Sequence, residues 1–356
     1  MARKMLKVVA GAAALLSLGA GVANAATSPA TAAAWQSVGH SGVRGEVTAV
    51  TSVTYASGKV AEFAFAFHGT KPSLYTRSGG GAWAFDTINV AKTGERIVSA
   101  KAIGPNELLA FTRINGGQGR VLKRTGQTWT VLHTFGAEIG SASVLSASNV
   151  WVFGTSAKGG GNLGVWHFNG KAWTRVAKGY TDGGAQSSKD VWAASGTRLE
   201  HWNGAKWTAT SIAGLVSQPT AKVSTIYTAD ADSPYAIVSE NPTSSGPVVV
   251  LEYNGHAWKK VASYPTGSAV EGAAAGDGRS GLWFSVNRGA GKAGVLLHWG
   301  NHTHTLTVAT VPGLNDSLGS AINSITQMQS NSTRELAGGY LNQPAGDPSA
   351  KVYYYN

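Results

Sequence analysis

"VWHFNGKAWTRV" (Val165–Val176) holds two tryptophans around an Asn-Gly pair and ends in a basic tail. The phrase returns as "LEHWNGAKWTAT" from Leu199 and as "LEYNGHAWKKV" from Leu251. Aligning the chain on this turn places a Trp at 35, 83, 129, 173, 207 and 258, and Thr305 stands near the seventh slot in "HWGNHTHTLTV". Successive intervals are 48, 46, 44, 34, 51 and 47 residues. A period of roughly 40–50 residues is the length of one four-stranded propeller blade. The interval of 34 predicts a trimmed unit.

Each unit repeats one internal order. A segment of small and β-branched residues comes first, as in "GSASVLS" and "KVSTIYT". A polar turn such as "SSKD" follows, then an apolar strand such as "VWVFG", "VWAAS" or "LWFSV". A third strand ("VWHF", "LEHW", "VLEY", "LLHW") leads through a tight turn to the fourth, which carries the Trp. Short Val-, Trp- and Phe-rich runs between Gly, Asn and Ser turns predict an all-β repeat fold. The Asn-Gly pairs at 169, 203 and 254 predict two-residue type I′ hairpins, which need positive φ at both central residues. The chain ends "KVYYYN", a third strand with no fourth, while "AAAWQSVG" near the start reads as a fourth strand with no blade. These ends predict a seven-bladed β-propeller whose ring is closed by the N-terminal strand completing the last blade. Closure would leave only short, protected edges.

Residues 1–25 read as a secretory signal peptide. Arg3, Lys4 and Lys7 form a basic start, an apolar run follows, and Ala23-Asn24-Ala25 fits a small-x-small cleavage site. The apolar run is broken by Ser and Gly and falls short of the ~20 residues a membrane span needs, and no later stretch supplies one. "ATSPATAA" then reads as a flexible linker over 26–33, leaving 34–356 as a single domain. The chain has no Cys, which excludes disulfides and thiolate chemistry. Its stability must come from its core. A net charge of +11 could attract anionic polymers. No nucleic-acid recognition motif accompanies it.

The units "SASNVWVFG" and "SSKDVWAASG", each with its Trp-bearing hairpin, resemble the blades of secreted bacterial seven-bladed β-propellers of actinobacterial type. They are distantly similar to Asp-box hairpins, with Asn169, Asn203 and Asn254 near the Asp position, and more distantly to kelch repeats. The resemblance implies a fold strongly and a function weakly, because propellers host enzymes, lectins and scaffolds.

Three features could carry chemistry. The twelve tryptophans all occupy repeat slots. They could be sugar platforms, but packing between blades needs large apolar rings in the same pattern. A carboxylate or its amide stands near the start of each first strand: Glu46, Glu95, Glu138, Asp182, Gln218, Glu271 and Asp316. If aligned, they form an acidic ring at one mouth of the channel, able to bind a sugar's hydroxyls or a cation such as Ca²⁺. Independent loop acids are the plainer reading. His298, His302 and His304 lie around one hairpin and could approach Zn²⁺, but no acidic or sulfur ligand stands beside them in sequence. No nucleophile elbow, Walker loop or HExxH helix occurs.

The expectation is therefore a secreted, extracellular, monomeric, non-catalytic binding module. Its expected partner is a glycan, a cell-wall polymer or an extracellular protein, with no cofactor beyond possible Ca²⁺, no nucleic acid and no membrane span. The alternatives are a polysaccharide hydrolase or lyase using carboxylates at the mouth, and a structural surface protein without a small ligand.

Overall fold

A computed structural model describes residues 33–38, 43–114, 117–156, 162–228, 233–242, 246–289, 292–314, 319–328, 334–341 and 349–356. Apart from one short 3₁₀ turn at Ala213–Leu215, its elements are all strands. In chain order, β1 (Trp35–Ser37) precedes a sheet of β2 (Glu46–Thr54), β3 (Val60–His68), β4 (Lys71–Ser78) and β5 (Ala84–Thr87). Next come β6 (Glu95–Gly104), β7 (Glu107–Ile114), β8 (Gln118–Thr125) and β9 (Thr128–Phe135). The third sheet has β10 (Ile139–Ser146), β11 (Asn149–Ser156), β12 (Asn162–Phe168) and β13 (Trp173–Ala177). The fourth has β14 (Asp182–Ser187), β15 (Asp190–Ser195), β16 (Arg198–Trp202) and β17 (Trp207–Ser211).

A larger sheet follows, of β18 (Lys222–Tyr227), β19 (Tyr235–Ser239), β20 (Gly246–Tyr253), β21 (Trp258–Gly276), β22 (Leu282–Asn287), β23 (Val295–Gly300) and β24 (Thr305–Ala309). Its long strand β21 serves two neighbours. Residues 258–267 pair with β20, and residues 268–276 pair with β22. The last sheet joins β25 (Ala321–Gln327), β26 (Glu335–Leu341) and β27 (Ser349–Tyr355) to β1, with Trp35 opposite Tyr355. All pairings are antiparallel.

The apolar core is divided into slabs, each between successive four-stranded groups. Phe63 and Phe65 pack with Leu108 and Leu122, and Trp151 and Phe153 pack with Val191 and Ala193. Val47 and Val50 pack with Leu336 and Val352 from the other end of the chain. A middle strand lies between two slabs, so both its faces are buried. All five residues of β19 are buried for this reason. That is why these strands read as continuous apolar runs rather than as alternating ones.

The first strands line the interior. β2 touches β6, then β10, β14, β18, the second half of β21 and β25 follow in order, and β25 touches β2. Hydroxyl groups stitch this inner layer. Val50 N–H donates to Ser324 Oγ at 3.0 Å, Ala102 N–H to Thr51 Oγ1 at 3.0 Å, Ala185 N–H to Ser143 Oγ at 3.0 Å and Gly272 N–H to Thr225 Oγ1 at 2.9 Å. The Ser and Thr of the first segments thus satisfy backbone donors of the next sheet, which a buried strand cannot leave unpaired.

The Asn-Gly turns depart from the two-residue type I′ expectation. Phe168 pairs with Trp173 and Trp202 with Trp207, so four residues intervene. Only the Gly is left-handed, with φ 87° at Gly170, 91° at Gly204 and 88° at Gly255. The Asn side chain instead accepts two backbone N–H groups of its own loop. In the second turn, Ala205 and Lys206 each donate to Asn203 Oδ1 at 3.0 Å. An Asx turn replaces the left-handed Asn.

Candidate functional site

Pairing between first and second strands is interrupted at one recurrent point. Register shifts fall between Val47 and Ala49, Ile97 and Ser99, Ile139 and Ser141, Val223 and Thr225, and Ile322 and Ser324, with a longer one between Ala269 and Ala274. A bulge leaves its extra residue unpaired and re-aims it. Here the bulge residues Thr48, Val98, Gly140, Val270, Glu271 and Asn323 line one cavity of about 250 Å³ at the start of the first strands, while Ser224, at the β18 bulge, is buried and does not. Glu46, Arg96, Ile97 and Arg113 complete its wall. A second cavity of about 470 Å³ continues between the first strands and shares Val98 and Gly140 with the first.

The bulges also set which residues share a slot. Counted from them, the position of Glu46 is taken by Arg96, Glu138, Lys222 and Ala321 in other units. The mouth is of mixed charge rather than an acidic ring. Glu46 Oε2 accepts from Arg96 Nη1 at 2.7 Å, and Glu46 Oε1 accepts from Asn323 Nδ2 at 3.0 Å. Glu271 Oε1 accepts from Lys222 Nζ at 2.7 Å. Arg96 also lies 4.3 Å over the Phe67 ring.

The other predicted positions separate. Glu95 stands one residue early and turns into the sheet, where Arg120 Nε and Thr112 Oγ1 donate to Oε1 at 2.8 and 2.6 Å, and Lys92 N–H donates to Oε2 at 2.8 Å. Burial pushes its carboxyl up, but the bonds from Arg120, Lys92 and Thr112 outweigh that and hold it below the usual range. Gln218 is exposed in the loop before β18 and lines neither cavity. Glu138 is half-buried beside β10 and lines neither. Asp316 lies outside the described residues.

Asp182 does reach the interior and lines the larger cavity. Ser141 Oγ–H donates to its Oδ1 at 2.5 Å, and Gly183 N–H donates at 2.6 Å. Burial, opposed by the Ser141 bond and reinforced by the negative charge of Glu271, pushes its pKa up to about 7.

None of the twelve tryptophans is exposed, so they pack rather than form open platforms. Three of them carry a device that single-strand reading missed. Trp151 stacks on His167, Trp192 on His201 and Trp283 on His298, with ring centroids 4.2, 4.3 and 4.3 Å apart. Each His Nε2 bonds an oxygen at the preceding turn: Asn149 at 3.0 Å, Asp190 at 2.8 Å and Asp277 at 2.8 Å. The signal was the cross-strand spacing of "VW" or "LW" and "WH" or "HW". His298 therefore does have an acidic neighbour, brought by the turn before β22, and it is committed to that stack. Among the described residues, no group of three or more His, Asp or Glu is placed to hold a metal ion. No helix among them is long and apolar enough to cross a membrane.

Antiparallel four-stranded sheets whose first strands surround a central cavity define a β-propeller protein. No protein-family model and no curated protein sequence matches the chain. A chain in the S. cerevisiae structure of a Dbp5 variant bound to Nup159, a Gle1 variant, IP6 and ADP is similar in fold, with a TM-score of 0.53 and 6% identity over 90% of this chain and 94% of that one. The six-bladed fucose-recognising lectin of Aleuria aurantia gives a TM-score of 0.45 and 15% identity over 75% of this chain and 96% of that one. A protein of unknown function from Dyadobacter fermentans gives 0.43 and 12% over 88% and 95%.

Proposed function

We propose that the chain is a secreted, monomeric, non-catalytic binding module, built as a closed seven-bladed propeller, that holds a glycan at the channel mouth. The blade count is supported by the division of β21 between two neighbours and by the cyclic order of first-strand contacts. Closure is supported by the pairing of β1 with β27. Secretion rests on the basic, apolar and Ala-x-Ala features of residues 1–25.

The observation that carries the binding reading is the mouth cavity itself. Its Glu46, Arg96 and Asn323 side chains hold one another in fixed positions while facing open space. Fixed, alternating donors and acceptors recognise a polyhydroxylated ligand at little ordering cost. A glycan array with the mature chain tests this, with binding to a defined glycan set expected. If no glycan, neutral or acidic, is retained, the reading fails.

A second reading, a polysaccharide hydrolase or lyase, is favoured by one observation. Asp182, with its pKa raised to about 7, can donate a proton near neutral pH within the electrostatic reach of Glu271. Release of reducing ends from a bound polysaccharide supports this reading, and binding without release supports the module.

A further inference from the structure

Arg96 on β6 and Arg113 on β7 are directly opposed in the antiparallel register, and both line the mouth cavity. Like charges directly opposite destabilise a sheet. Glu46 offsets Arg96, and Lys222 takes up Glu271, the other carboxylate on the cavity wall. Arg113 is exposed, and among the described residues no acid forms an ion pair with it.

The cationic surface continues beyond the mouth. Glu46 and Arg96 also line a further cavity of about 650 Å³, whose lining includes Arg44 and His68. Arg44 and His68 are exposed. The Glu46–Arg96 pair thus stands between two adjoining hollows, each with at least one cation that no carboxylate among the described residues pairs with. A single neutral sugar would bring no counter-charge to Arg113 or Arg44. A chain bearing a negative group on successive units would use both, with its hydroxyls meeting Glu46 and Asn323.

We infer that the ligand is a carboxylate-bearing polysaccharide, a polyuronate type of chain, laid from the channel mouth past Arg96 to Arg44. This rests on the glycan reading above and sharpens its substrate class. Guanidinium groups take carboxylates through paired, charge-assisted hydrogen bonds, which a Lys or an amide does not reproduce. Doubly charged groups fit less well, because Glu46 and Glu271 stand on the same wall.

The test is calorimetric titration of the mature protein with polygalacturonate, neutral dextran and a poly(glycerol phosphate), at two salt concentrations. Polygalacturonate should bind, more weakly at high salt, and dextran should not. Arg113→Gln and Arg44→Gln should each weaken polygalacturonate about tenfold or more, since each removes a hydrogen bond to a charged group. Both residues are exposed, and an unchanged melting temperature for either variant shows that the fold is intact. Equal binding of dextran, or wild-type affinity in both variants, overturns the inference while leaving the glycan reading standing. Binding of poly(glycerol phosphate) in place of polygalacturonate overturns the carboxylate assignment. Failure of all three probes, together with a blank glycan array, removes the glycan reading itself.

Discussion

Trp35, three residues into the described chain, sits directly opposite Tyr355, the residue before its last. Trp35 is 4% exposed, and its indole packs edge-on to Trp283 at 5.3 Å, in the neighbouring sheet. One side chain therefore joins the N-terminal strand, the C-terminal strand and β22. Trp35→Ala should cost about 3–5 kcal/mol, as loss of a buried aromatic does. Deleting residues 34–38 should cost at least as much by exposing β27 as an edge. Urea unfolding monitored by fluorescence measures both, and unchanged midpoints would remove β1 from the account of stability.

The Glu95–Arg120 pair is almost wholly buried, with side-chain exposures of 0% and 4%. Arg120 Nη2 also donates to Val90 O at 2.8 Å. Arg120→Met alone should destabilise by about 3–5 kcal/mol, because Glu95 is left charged and buried. The double variant Glu95→Gln/Arg120→Met should recover most of that loss. Glu95 also titrates below its ordinary value when folded. Its contribution is thus present above about pH 4.5 and is lost as the pH falls through the depressed folded value. A plot of stability against pH should be flatter in that acid range for the double variant than for wild type.

The Asn side chains of the four-residue turns predict a smaller, local effect. Asn203→Ala removes an acceptor for two backbone N–H groups and should cost about 1 kcal/mol, in the range of a lost helix cap. Gly204→Ala should cost a similar ~1–2 kcal/mol, since φ is 91° there. Because the hairpin lies on an exposed loop, neither change should alter ligand binding. Thermal melts beside binding titrations check both statements.

The strands, the Trp slots and the pairing of the two chain ends were legible in the sequence because each depends on a pattern of several residues. Apolar runs marked the doubly buried middle strands, and a Trp at 83, 129, 173, 207 and 258 marked five of the hairpins. The mouth was only half legible. Glu46, Asp182 and Glu271 line the interior cavities, and Glu95 does not. Adjacent residues of a strand face opposite ways, so Glu95 and Arg96 exchange roles when the alignment slips by one. The bulges that fix this phase leave no composition signal. Arg113 was missed because it enters from the second strand, and Asn323 because it is itself a bulge residue.

Asp182 links stability to the site. Its pKa is about 7 when folded, against 3.8 for an unperturbed aspartate. Between those values the folded chain holds a proton that the unfolded chain has released. Stability from this group is therefore full below about pH 3.8, declines as the pH rises, and is lost above about pH 7. Asp182→Asn keeps an oxygen for Ser141 Oγ–H and Gly183 N–H without the charge. At pH 8 it should be more stable than wild type, by up to about 4 kcal/mol on the scale of 1.36 kcal/mol per pK unit, and at pH 4 the two should be alike. Denaturant midpoints at the two pH values decide this. If Asp182 is retained for binding alone, the variant should keep its glycan affinity near pH 5, where the wild-type carboxyl is already neutral. If it serves as a proton donor, any release of reducing ends should vanish in the variant at every pH while binding persists.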